Sequence, residues 1–279
     1  MLKWQRLLKQ IGFNLVLMAL PLSVCSSLAA ESPSSFKQTA TAVTDWKNPA
    51  FILRAFDEVA LKNEYDRDNH RVRKWREPVR VFIEHRVGAQ ALHRQLVQMH
   101  LAHLAEITGH PFSVVDKLSD ANLHLVFTRQ SLWAEDVARL MGQSAVDKIH
   151  GSVCMGTFGL NAQSEINRAW IVIPVDQAQM HGKLVACVVE EITQTLGLPN
   201  DSEKVFPSIF NDKTPQNLLS GLDYILLKLL YSDAIKPGMT AAEAKPILQQ
   251  LIQRWQKDGT IGGADKRVRE GKLYPMLGY

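Results

Sequence analysis

Between Leu184 and Asp201 the chain reads LVACVVEEITQTLGLPND, and this stretch constrains the fold more than any other. Apolar Leu184, Val188, Ile192 and Leu196 recur every four positions, which marks a helix with one buried stripe. Glu190 and Gln194 then lie one turn apart on a face away from that stripe. Gly197 can take a positive φ and end the helix, Pro199 follows, and the reversal is expected to bring Asn200 back toward the same face. Three oxygen-bearing side chains, Glu190, Gln194 and Asn200, would thereby converge, with Glu191 beside them. The plainer alternative is a partly solvated helix that happens to carry acids.

The segments on either side set this helix in a mixed fold. Residues 48–65 are helical in pattern, and after Pro78 the alternation of Val79, Val81 and Ile83 predicts a strand. A long helix is expected from Gly88 to Thr108, closed by Gly109. Two short β-rich runs follow, FSVVDK and ANLHLVFTR, parted by the turn signal Ser119-Asp120. Residues 130–149 look helical, and VCMGTFGLN and AWIVIPV read as a strand pair leading directly into the helix of Glu190. LSGLDYILLKLLYSD and AAEAKPILQQLIQRWQKD complete the helices, the second despite Pro246. The expected class is α+β: a small mixed sheet backed by two long helices, with further helices at both ends. The folded domain is expected over 46–258. The tail 259–279, glycine-rich and basic, is expected to pack loosely.

The N-terminus has the form of a targeting segment. Lys3, Arg6 and Lys9 precede the apolar run IGFNLVLMALPLSV, and SSLAAES offers small residues for cleavage near Ala29 or Ala30. The apolar run is shorter than the roughly 20 residues that span a bilayer. Residues 1–30 are therefore read as a signal peptide and 31–45 as a Ser/Thr/Ala-rich linker, giving an exported protein of the periplasm or outer membrane. Leu22-Ser23-Val24-Cys25 approximates a lipobox, so the one membrane attachment in prospect is a lipid anchor at Cys25. Removing Lys3, Arg6 and Lys9 from the 32 basic residues leaves 29 against 28 acidic ones, and so near-neutral a balance gives no support to nucleic-acid binding.

If cleavage falls after Cys25, Cys154 and Cys187 remain, and an even pair in an exported chain favours a disulfide. Two buried free thiols are the alternative. On the long helix His93, His100, His103 and His110 read as polar decoration, although His100 and His103, three apart, also have the spacing of a metal pair. His181 stands alone at the opening of the Glu190 helix. No GxSxG or P-loop is present, which leaves serine hydrolysis and nucleotide hydrolysis without a motif.

WREPVRVFI, HLAEITG, CVVEEITQTLGLPNDS, PSIFND and LDYILLKLLYSDAIKPGM, spanning Trp75 to Met239, together resemble the proteobacterial family called domain of unknown function 2927, whose members are often described as lipoproteins and grouped with zincin-like peptidases. In the zincin pattern HExxHxxGxxH, Glu190 falls at the first ligand position, Glu191 at the general base, Gln194 at the second ligand, Gly197 at the turn and Asn200 at the third ligand. Leu219–Tyr231 is similar to the closing helix of matrixin-type metzincins, LSxxDxxxIxxLY, with Asp223, Leu227, Leu230 and Tyr231 in register. All three histidine ligands are missing, and no Met lies between Met180 and Met239 to form the turn beneath the metal. Ser208-Ile209-Phe210 stands where that turn would be.

The resemblance implies a zincin-like fold with the site at Glu190, Glu191, Gln194 and Asn200. Zinc favours imidazole, thiolate or carboxylate, and amides are weak ligands for it. No cofactor is expected beyond a weak divalent cation, for which Glu190, Asn200, Asp201 and a backbone carbonyl would suit Ca²⁺ or Mg²⁺. The expected function is a noncatalytic module that binds a peptide or envelope protein in the old peptidase cleft, with AWIVIPV as the cleft's edge. The alternative is an active metal-dependent hydrolase with Glu191 as base.

Overall fold

Asn48 opens the first helix by capping it, its side-chain oxygen accepting from Ala50 N at 2.9 Å, with Pro49 pre-set in the first turn. The computed structural model describes residues 45–62, 70–214 and 216–279. The signal peptide, the linker up to residue 44, Cys25 and the end of the first expected helix lie outside the described residues. No helix among the described residues is long and apolar enough to cross a membrane.

The elements in order are α1 (Pro49–Phe56), a π-helical turn (Asp57–Leu61), β1 (Lys74–Trp75), β2 (Val79–His85), α2 (Gln90–Thr108), β3 (Phe112–Val115), β4 (Leu123–Thr128), α3 (Gln130–Met141), α4 (Gln143–Val146), β5 (Met155–Leu160) and β6 (Glu165–Pro174). After these come α5 (Val175–Met180), α6 (Leu184–Gln194), α7 (Gly221–Tyr231), α8 (Ala241–Lys257), α9 (Ala264–Val268) and α10 (Leu273–Met276). The result is the small mixed sheet with flanking helices expected from the sequence. Residues 130–149 form two helices, because Gly142, at φ 89°, breaks the run.

The sheet runs β1-β6-β4-β2-β3 with these pairs parallel, and β5 joins β6 antiparallel. Residues 169–172 of β6 pair with β4 on one edge and with β5 on the other. Both edges of the first four residues of AWIVIPV are therefore taken, and β5 lies at the margin: no other strand pairs with it among the described residues. The expectation that β6 edges the cleft is corrected accordingly. Val79, Val81, Leu123, Leu125, Phe127, Ile171 and Ile173 are fully buried or nearly so, and the stripe of α6, Val188, Ile192 and Leu196, has no exposure at all.

Two further expectations are overturned. The α2 histidines are not surface decoration: His93, His100 and His103 are buried among Leu96, Val97, Leu104 and Ile107. Nor is the tail loosely packed, since Ile261, Ala264, Val268, Leu273 and Tyr274 are buried in the main core. A Cβ on Gly271 would fall 2.4 Å from His103 Nδ1, so the tail passes hard against α2 there, and glycine is required for the approach.

Candidate functional site

The helix carrying the acids is fixed at its C-terminal end by groups that reach it from elsewhere in the chain. Trp75 Nε1 donates to Thr195 O at 2.8 Å and the Tyr231 hydroxyl donates to Leu196 O at 3.0 Å. Gly197 takes φ 113°, and a Cβ there would lie 2.0 Å from Arg73 O. Its role as the turn, expected from the sequence, is thus enforced twice, by conformation and by close approach of another backbone segment.

On its inner side α6 meets α2. Thr193 gives its hydroxyl proton to Val189 O at 2.5 Å, so the His100 Nε2 that approaches its oxygen at 3.0 Å is the donor. Burial, with a smaller contribution from His103, pulls the His100 pKa down to about 3, and burial alone pulls His103 to about 4. Both imidazoles are neutral core groups at ordinary pH. Neither lines the cavity on the other side of α6.

That cavity, about 470 Å³, is lined by Gly151–Gly156, Lys183, Cys187, Glu190, Glu191, Gln194, Pro199, Asp201 and Asp212. Cys154 and Cys187 form the disulfide favoured by the sequence, tying the segment before β5 to α6 in the cavity wall. Glu191 is buried against β5: a Cβ on Gly156 would stand 2.7 Å from its Oε2. Gly156 is thereby the position on β5 that leaves room for this carboxylate.

Glu190, Asp201 and Asp212 each present a carboxylate oxygen, and the three atoms lie within 4.8 Å of one another. Loss of hydration, followed by the charges of Asp201, Glu191 and Asp212, pushes the Glu190 pKa well above the ordinary carboxylate range, against an opposing effect of Lys183. Gln194 Nε2 donates to Asp201 Oδ1 at 2.9 Å and holds it toward α6.

Of the four residues expected to converge, the structure brings Glu190, Glu191 and Gln194 to the cavity but not Asn200. The Asn200 amide donates to Glu58 O and Asp201 O, at 2.9 and 3.0 Å, which fastens the turn to the π-helical segment. Its neighbour Asp201 takes the place at the cluster. Asp212 was not anticipated. It is delivered by a loop pinned by Asp223, whose carboxylate accepts from Ser208 Oγ at 2.6 Å and Ile209 N at 3.0 Å, and by Asn211 Nδ2, which donates to Glu203 O and Val205 O. Asp223 also closes the capping box of α7 with Ser220. The signal for this anchoring was in the sequence, in the LSGLDY segment, but nothing there pointed from it to Asp212.

The zinc that a zincin-like scaffold would imply does not fit this donor set. Among the described residues lining the cavity, the candidate ligands are carboxylates and the Gln194 amide, with no imidazole and with both cysteines taken by the disulfide, whereas zinc sites are built on nitrogen and sulfur with at most a minority of carboxylates. Hard cations take such oxygen donors readily.

Fold and site together define a mixed α/β protein with an acidic cleft between a marginal strand and a helix. The family model described as Protein of unknown function (DUF2927) matches residues 49–250. The chain belongs to that family, and the matched span contains the whole sheet and every residue lining the cavity. No curated protein matches the chain.

Proposed function

We propose that this is an exported envelope protein, on a degenerate metallopeptidase-like scaffold, whose cleft binds an extended peptide or envelope protein segment without cleaving it. The observation that carries the reading is the position of β5: its outer edge has no strand partner among the described residues, and its first two residues, Met155 and Gly156, line the cavity. An extended segment added there would gain backbone hydrogen bonds, while its side chains sampled the cavity. The donor set argues against zinc-dependent cleavage.

The test is binding of the mature chain to immobilised extended peptides and to solubilised envelope fractions, measured by surface plasmon resonance. Saturable binding that is lost when proline is placed in the β5 edge, with the fold intact by circular dichroism, is the expected result. Absence of binding to every peptide and envelope fraction contradicts the reading.

A second reading keeps the scaffold active, with Glu191 as general base, and rests on the burial of that carboxylate in the cavity wall. It requires a peptidase activity that disappears in Glu191→Gln. Unchanged activity in that variant rules it out.

A further inference from the structure

Glu190 has neighbours that make its position costly. Its carboxylate receives no hydrogen bond from any described residue and is pressed among three other carboxylates, Glu191, Asp201 and Asp212, at the wall of the cavity. Among the described residues, four acids and one base, Lys183, line the cavity. Carboxylates brought this close repel one another, and a bound cation relieves that repulsion. Gln194, one turn away, donates to Asp201 and not to Glu190.

The geometry points to a hard divalent cation, of calcium size, held by Glu190, Asp201 and Asp212. Oxygen ligands on Ca²⁺ lie about 2.3–2.6 Å from the ion, so two on opposite sides are separated by about 4.6–5.2 Å. The three carboxylate oxygens, all within 4.8 Å of one another, therefore fit on one such coordination sphere. The cavity leaves room for the waters that would complete six to eight ligands. Two of the three ligands, Asp201 and Asp212, fall outside the ligand positions of the zincin pattern, while Gln194 and Asn200, which occupy two of those positions, serve as braces. Glu190 supplies what a surface cluster lacks: a largely buried carboxylate to which no described residue donates a hydrogen bond, facing the same space. The cation site goes beyond the peptide-binding reading and stands or falls independently of it.

The experiment is calorimetric titration of Ca²⁺, Mg²⁺ and Zn²⁺ into chelator-treated mature protein carrying no affinity histidines, with thermal unfolding recorded alongside. One Ca²⁺ site of submillimolar affinity and a rise in Tm on adding Ca²⁺ are expected. Asp212→Asn, at an exposed position, should fold normally and weaken Ca²⁺ at least tenfold. Glu190→Gln should unfold at a higher temperature than the metal-free parent and lose the calcium-dependent rise. No heat and no Tm change with millimolar Ca²⁺ or Mg²⁺ overturns the assignment, as does Ca²⁺ binding unaltered within twofold in Asp212→Asn. Zn²⁺ binding at these residues in preference to Ca²⁺ also overturns it, and so does a lysine-bearing peptide that occupies the cluster while Ca²⁺ does not. A failure of peptide binding, with Ca²⁺ binding intact, would leave the cation site standing and remove only the peptide reading.

Discussion

The two sides of α6 carry polar groups under opposite conditions. Toward α2, Thr193 and His100 form a closed arrangement in which each donor has an acceptor and the imidazole is neutral. Toward the cavity, Glu190 receives no hydrogen bond from any described residue and faces acids that repel it. A chain built for stability alone would have neutralised or paired that carboxylate, as it did the groups behind it. The contrast teaches that His100 and His103, which look the more metal-like in the sequence, are packed in the core, and that the acids form the face that lines the cavity.

The largest expected effect concerns the link between the two sides of the cleft. The disulfide closes a separation of 33 residues, and replacing Cys154 and Cys187 by Ser should cost roughly 3–4 kcal/mol on the chain-entropy view, read as a lower urea midpoint. A slightly smaller loss, on the order of 2–3 kcal/mol, is expected for Gly197→Ala, which combines a positive φ with a collision at Arg73 O. Retention of full stability in Gly197→Ala would show that the end of α6 adjusts freely.

The inner side can be tested by pH. His100 and His103 have folded pKa values near 3 and 4, below the value of about 6.5 expected for an unfolded chain. The unfolded state therefore binds protons first as pH falls, so the contribution of each is intact above about pH 6.5 and is lost below it. At pH 5 each should have forfeited about 2 kcal/mol relative to pH 7. The measurement is urea unfolding at both pH values, with His103→Asn expected to reduce the dependence by one residue's share; an identical dependence would place His103 outside the core. Smallest is the effect on the cavity side. Glu190→Gln is expected to raise metal-free stability at pH 7 by less than about 1 kcal/mol, and a clear loss would mean that the charged carboxylate is needed structurally.

Much of this arrangement was legible. The four-residue spacing from Leu184 to Leu196 gave α6 its orientation, and Gly109 and Gly197 both take the positive φ expected of helix ends. His93, His100 and His103 were misread because they were treated as polar, although they share a face with Leu96, Val97, Leu104 and Ile107. A neutral imidazole belongs on such a face, and His93 stacks on Phe127 with ring centroids 4.3 Å apart. In the tail, Ile261, Ala264 and Val268 recur at helical spacing, a signal masked by the glycines and basic residues around them. Asp212 was beyond local reading: its place depends on Asp223 and Asn211 folding a loop back across the helix end, and tertiary placement of that kind has no sequence period.

The central claim is that the cleft face of α6 is a site for hard cations and not for zinc. The most direct measurement is elemental mass spectrometry of the mature protein and Glu190→Ala after equilibrium dialysis against millimolar Ca²⁺ together with micromolar Zn²⁺. The account predicts about one calcium per chain in the parent, little zinc, and loss of the calcium in the variant. Stoichiometric zinc, or calcium retained in Glu190→Ala, would contradict it.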